Sequence, residues 1–95
     1  MSPFKKHFKE DFMLSVEIVL MRKGDVNYNL VVAKLGALYN CSIVDCYDHP
    51  EYLRTVLKEV YKEDYNTILE NIKIELDKLV DIEKEKAEFL KIMES

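Results

Sequence analysis

Residues 64–80 read DYNTILENIKIELDKLV, and their spacing decides the fold. Tyr65, Ile68, Leu69, Ile72, Leu76, Leu79 and Val80 recur at intervals of three and four. That is the period of a helix with one apolar stripe, not the alternation of a strand. Asp64 stands where an N-cap carboxylate belongs. Glu70 and Lys73 fall between the apolar positions as a solvated pair.

The same reading extends in both directions. Upstream, Tyr52, Leu53, Val56, Leu57, Val60 and Tyr61 form a second clean stripe, which predicts a helix from about Pro50 to Tyr61. It starts at Pro50, because proline drives the preceding residue, His49, out of helical geometry. Glu51 follows Asp48 at capping-box spacing. Lys62-Glu63-Asp64 carries no glycine to make the bend before the next helix. Downstream, Asp81 is a candidate cap for a last helix with Ile82, Phe89, Leu90 and Met93 inward. The pattern also permits the preceding helix to run on without a break.

In the N-terminal half, Ser2-Pro3 opens a helix whose stripe is Phe4, Phe8, Phe12, Val16, Val19 and Leu20. Serine caps and proline suits the first helical position. Arg22 and Lys23 favour the negative end of the helix dipole, and Gly24 ends it. Asp25 or Asn27 caps a second helix containing Leu30, Val31, Ala33, Lys34, Leu35 and Leu38. Its dense apolar positions predict the most buried helix of the chain. Gly36 inside it costs roughly 1 kcal/mol against alanine, which predicts a close helix–helix approach. Asn40 is the stop. Ser42-Ile43-Val44-Asp45 resembles a capping box and predicts a short third helix.

The fold class that follows is all-α: five or six short helices in a compact orthogonal or irregular bundle, one domain over residues 1–95. The second, fourth and fifth helices are expected to supply most of the core. Only two glycines and two prolines in 95 residues agree with few turns and long helices.

Charge and hydropathy exclude several functions. The net charge is −4, which disfavours a phosphate backbone as partner. Only the N-terminal stretch with Lys5, Lys6, Lys9, Arg22 and Lys23 is locally basic. The longest apolar run without Ala or Gly is Ile18 to Met21, far below the roughly 20 residues that span a bilayer. Glu10 and Asp11 come too early for a signal peptide. The stripe Phe4/Phe8/Phe12 beside lysines has the look of a membrane-surface helix, but a small core needs those rings. The expectation is a cytoplasmic protein with Cys41 and Cys46 reduced, no membrane partner and no cofactor.

Three constellations merit weighing as sites. Cys41, Cys46 and His49 form C-x4-C-x2-H, and thiolate and imidazole are zinc ligand types. The spacing is not that of a knuckle, and no fourth ligand is evident beside Asp45 and Asp48. They read better as a buried cysteine, a half-exposed cysteine and a helix-start histidine, so no metal is assigned. Cys46 with His49 could serve nucleophilic catalysis only if an orienting group stood behind the histidine. No nucleophile elbow, phosphate loop or HExxH occurs, so no catalytic residue is assigned and no enzyme is expected. Residues 26–48 have the outline of a helix-turn-helix, which makes a nucleic-acid-binding regulator the alternative reading. Its second element, Ser42 to Asp48, has two acids and no base, where a groove-reading helix needs bases and amides.

Tyrosine serves both cores and interfaces. Of the six, Tyr47, Tyr52, Tyr61 and Tyr65 cluster at the middle junctions and are the candidates for an interaction surface. The other reading buries their rings with the hydroxyls at the rim.

His49-Pro50-Glu51-Tyr52-Leu53, then Val56-Leu57-Lys58-Glu59-Val60-Tyr61, Ile68-Leu69 and Ile72-Lys73-Ile74-Glu75-Leu76 resemble a small archaeal helical domain family of the nitrosopumilus output-domain type. The resemblance covers roughly the C-terminal half. It implies an archaeal cytoplasmic protein, a compact helical unit and a non-catalytic role, and it carries no ligand or site residue. The functional expectation is a non-enzymatic protein-interaction or regulatory module of the output type. Its partner would be an unidentified protein or a second copy, since the chain has more apolar and aromatic positions than a small monomer needs.

Overall fold

A computed structural model of the chain describes residues 3–95, with side chains from Phe8 onward. The expected Ser2 cap, the side chains of Phe4, Lys5, Lys6 and His7, and the first part of the phenylalanine stripe lie outside the described residues. Five α-helices and two 3₁₀ turns follow one another, with no strand among the described residues. The all-α class is as the spacing predicts.

Helix α1 (Pro3–Arg22) buries Phe12, Met13, Val16, Val19 and Leu20. It ends in two residues, Lys23 and Gly24, with Gly24 at φ 123°, where only glycine is unstrained. Helix α2 (Asp25–Tyr39) stops at Asn40 in the left-handed conformation. The Asn40 and Cys41 amides there reach back to the Gly36 and Leu35 carbonyls. The expected short third helix is a single 3₁₀ turn, Val44–Tyr47. Its capping box is real. The Ser42 amide donates to Asp45 Oδ2 at 2.9 Å, and the Asp45 amide reaches Ser42 Oγ at 3.4 Å. The Ser42 amide, and with it the Ser42 hydroxyl donating to the same Oδ2 at 3.2 Å, hold the Asp45 carboxyl below its ordinary pKa.

Helix α3 (Pro50–Tyr61) has the expected bounds, with Pro50 in the first turn. Asp48 does not cap it; its carboxylate turns away to Lys9 of α1 at 2.5 Å. After α3 the bend falls on Lys62 at φ 50°, a costly conformation for a side chain with a Cβ, and a second 3₁₀ turn covers Lys62–Asp64. Helix α4 (Tyr65–Leu76) ends earlier than its apolar pattern. Asp81, at φ 57°, reverses the chain, and α5 runs Glu83–Glu94. The two helices therefore do not merge. Val80, expected inward, is 81% exposed, because the chain has left the helix four residues before it. Asp81 does not cap either: the Ile82 amide is satisfied by Glu83 Oε2 at 3.1 Å.

The buried side chains form one cluster. Helix α1 packs on α4, α2 on α3, and α3 on α5, with the first 3₁₀ turn wedged against α1. Phe12 is fully buried at the junction. Its ring meets Phe89 of α5 and Tyr47 of the 3₁₀ turn edge to face, both at 5.3 Å. Such contacts add roughly 0.5–1.5 kcal/mol beyond burial. The expectation that α2 is the most buried helix fails. It contributes only Val31 and Leu35 to the core, and most of it lies on the outside.

Two polar groups inside the bundle differ in a way that can be measured. Tyr65 donates its hydroxyl to the Met93 carbonyl at 2.6 Å, and burial pushes its pKa up to about 12. The Tyr61 hydroxyl is buried without a hydrogen-bond partner. Tyr65→Phe should lower unfolding free energy by about 1–2 kcal/mol, since it orphans a buried carbonyl. Tyr61→Phe should be neutral or stabilising, and urea denaturation of the pair would reverse that order if the assignment were mistaken.

Glu75 of α4 is the one buried carboxylate among the described residues. Arg22, at the end of α1, donates to its Oε1 at 2.8 Å and Lys78 at 3.2 Å. Burial pushes its pKa up, but the two hydrogen bonds outweigh that and hold it below the usual 4.5. A depressed carboxylate stabilises the fold above its unfolded pKa, and the contribution is lost as pH falls through the folded value. Glu75→Gln should therefore lower the melting temperature at pH 7, and its gap from the parent should close below about pH 4.5.

Candidate functional site

The sites anticipated from sequence come apart in three dimensions. Cys46 has Cys41 as a neighbour, but its thiol donates to the Ser42 carbonyl at 3.5 Å. Cys46 is fully buried, and burial followed by the neighbouring Cys41 pushes its thiol pKa far up. A thiol held in that state is a poor source of the thiolate that a metal site or a nucleophile needs. His49 goes elsewhere. Its ring stacks on Tyr52 at 4.6 Å, and Nδ1 lies 3.2 Å from Glu51. Among the described residues no three His, Cys, Asp or Glu side chains gather to hold a metal ion. The C-x4-C-x2-H spacing thus gives the Cys46 thiol to a backbone carbonyl and turns the imidazole to Tyr52 and Glu51.

The helix-turn-helix outline does not become one. Its second element is a four-residue 3₁₀ turn with Cys46 buried and Asp45 tied to Ser42. A recognition helix needs length and a free face of bases. This turn has neither, and Tyr47 packs edge-on to Phe8 and Phe12 of α1.

The tyrosine surface also divides. Tyr61 and Tyr65 are core residues, 7% and 6% exposed, so they offer no surface. The apolar spacing that places them on helix stripes carries them inward. Tyr52 is sandwiched between His49 and Tyr39, the Tyr39 ring lying parallel at 4.1 Å. One face of Tyr52 thereby joins α3 to α2, and His49 at the start of α3 covers the other. Tyr47 borders a cleft of about 530 Å³, lined also by Pro50, Phe89, Asp48, Glu85 and Glu88. Burial first, then Glu85, Asp48 and Glu88, raise the Tyr47 hydroxyl pKa.

The feature that sequence reasoning missed is α2 itself. Eight large apolar side chains are exposed among the described residues, and six of them lie on the α1–α2 hairpin: Leu14, Met21, Val26, Leu30, Val32 and Leu38. Val31 and Leu35 face the core, so Val26, Leu30, Ala33 and Ala37 fall on the opposite side, at spacings of four, three and four. That side carries no charge. The whole helix has two charged residues, Asp25 and Lys34, in a chain that is 34% charged. Lys34 is drawn sideways to Glu59 of α3 at 2.6 Å. On the other flank Tyr28 donates to Glu17 of α1 at 2.8 Å, a bond that raises the tyrosine pKa ahead of burial. Leu14 and Met21 lie three and four residues from Glu17, on the same side of α1. The charge-poor run 25–40 was the signal; dense apolar residues were read as burial, whereas the missing charges are equally a property of an outer face.

Gly36 belongs to this surface. A Cβ built on it meets nothing within 4 Å, so no element of the chain approaches it closely. The close approach expected at Gly36 does not occur within the chain.

No family model, curated protein or solved structure matches this chain. The likeness of residues 49–76 to the output-domain type therefore rests on the spacing and the Pro-Glu helix start alone.

Because Gly36 is exposed and unopposed, Gly36→Ala should gain helix propensity at no steric cost. Unfolding free energy should rise by about 1 kcal/mol in urea denaturation at low protein concentration. A loss of stability instead would place a neighbouring element against it.

Proposed function

We propose that this protein is a non-enzymatic protein-interaction module of the regulatory, output-domain kind, acting in the cytoplasm, and that the outer side of α2 is its working surface. One observation carries the reading: an uncharged helix face, apolar except for Asn29, in a chain whose other helices alternate acids and lysines outward. Exposed apolar residues scattered singly have no such meaning, but a contiguous patch marks an interaction site. Water-exposed valine and leucine are a standing cost, worth roughly 1.5–3 kcal/mol for each side chain that a partner fully buries. Apolar residues at spacings of four, three and four are also the pattern by which one helix receives another.

The cleft beside Tyr47 is the weaker candidate, since its carboxylates are partly exposed and nothing in it is aimed at a ligand. A catalytic reading has less support still. The buried Cys46 thiol and the stacked, paired His49 leave no nucleophile beside a base.

Photo-crosslinking in the cell of origin tests the reading. A photoreactive residue at Ala33, on α2, should give protein adducts many-fold above one at Ala87, an exposed alanine of α5. Equal yields, or adducts from Ala87 alone, would remove α2 as the working surface.

A further inference from the structure

We propose that Lys62 is a hinge through which two copies of this chain exchange α4 and α5, each copy completing its core with the other's pair of helices. The proposal is independent of the α2 surface and stands on the bend between α3 and α4. Lys62 holds φ 50° and ψ −115° there. Those are close to the angles of the first central residue of a type II′ turn, a position that glycine fills because a Cβ is crowded in it. For any other residue such a conformation costs roughly tenfold in population. No side-chain bond offsets that cost. Lys62, Glu63 and Asp64 are exposed, and Asp64, where a cap was expected, makes no capping bond to α4.

A single residue separates the bent chain from a straight one. Tyr61, Asp64 and Tyr65 are all in the right-handed helical region, and Lys62 is the one residue of the bend with a positive φ. Lysine and glutamate are good helix formers, and neither glycine nor proline stands between Pro50 and Leu76. If Lys62 turns to the helical region, α3, the 3₁₀ turn and α4 become one helix of about 40 Å. The apolar stripe is already in phase for it. Leu57, Tyr61, Tyr65, Ile68 and Ile72 are buried and follow at steps of four, four, three and four across the bend. A stripe interrupted by an ordinary loop has no reason to keep helical register through it.

A straightened copy carries α4 and α5 away from its own α1 and α3. A second copy in the same state offers the identical surfaces, so the contacts of α4 and α5 with the rest of the core, apart from those at the bend itself, are remade between two chains. Phe12 of one copy meets Phe89 of the other, Arg22 meets Glu75, and Arg54 donates to the Ile92 carbonyl, each as it does within the closed chain. Tyr65 keeps the Met93 carbonyl, since both lie on the exchanged pair. What distinguishes the two forms is therefore the hinge. The dimer relieves two strained lysines, while the closed chain has its helices tethered. A short connection gives a tethered unit an effective concentration on the order of 1 mM. Near that concentration of chain the tether confers no advantage, and relief at Lys62 favours exchange. Short hinges under strain invite this rearrangement.

The test refolds the full chain from urea at about 1 mM, the concentration set by the tether, and separates the products by size exclusion. The parent should yield a dimer. In a dimer refolded from equal amounts of isotope-labelled and unlabelled chain, isotope-filtered NOEs should join the Phe12 ring of one chain to the Phe89 ring of the other. Lys62→Gly removes the strain from the closed chain and weakens the straight helix. Its dimerisation constant should fall at least about 100-fold, roughly tenfold for each of two hinges. Lys62→Ala keeps the Cβ and improves helix propensity, so it should dimerise at least as well as the parent. Circular dichroism checks that both variants fold. A parent that stays monomeric at that concentration, or a Lys62→Gly variant that dimerises like the parent, would overturn the proposal. So would a dimer whose Phe12–Phe89 contact lies within each chain, which would be two closed chains docked by an outer face.

Discussion

The packing of Phe12 sets the arrangement of everything around it. Its ring is fully buried on α1 and meets aromatic edges from α5 and from the first 3₁₀ turn. These contacts commit one side of α1 to those two elements. The adjoining side, with Met13, Val16 and Leu20 also buried, lies against α4, and Arg22 closes the far end of that contact on Glu75. With the inward faces of α1, α3, α4 and α5 turned to one another, the core is complete. Helix α2 arrives early in the chain but finds little core left to enter. It docks through Val31 and Leu35, with Tyr28 and Tyr39 half-buried beside them, and leaves Val26, Leu30, Val32 and Leu38 exposed.

Local chemistry made much of the fold legible in the sequence. Pro50 fixed the start of α3, Gly24 and Asn40 ended α1 and α2, and the Ser42/Asp45 box formed with aspartate in place of glutamate. Each is set by the residue's own backbone preference or by a partner a few positions away. What local chemistry did not give was tertiary. Leu79 and Val80 continue the stripe of α4 faultlessly, yet the helix ends at Leu76, because the turn through Asp81 delivers Ile82 and Phe89 to the core. Lys62 bends the chain in a conformation its side chain disfavours, and no propensity rule foresees that.

The candidate sites were less legible for a related reason. Sequence proximity suggested that Cys41, Cys46 and His49 could converge, and that four tyrosines could share a surface. Both are questions of which way a side chain points at an irregular junction, and His49 and Tyr61 pointed elsewhere. The α2 surface was misread by an ambiguity of the apolar pattern. A helix apolar on nearly every side is read as buried. The same composition results when one side enters a core and the other awaits a partner, and only the exposure of each residue separates the two.

That ambiguity has to be resolved by the chain as well as by its reader. A helix with two apolar sides could dock by either, burying Leu30 and Ala33 in place of Val31 and Leu35. The contacts on its flanks decide. Tyr28 reaches Glu17 of α1, Lys34 reaches Glu59 of α3, and Tyr39 stacks on Tyr52 of α3. The two polar contacts are half exposed or nearly so, and each adds little stability. Their value is in orientation: turning α2 about its axis would break all three at once and would carry Lys34 away from its carboxylate. Small interactions of this kind select one packing among near-equals. They turn Val26, Leu30, Ala33 and Ala37 outward as a fixed strip, so the outer side of α2 is a surface the fold itself specifies.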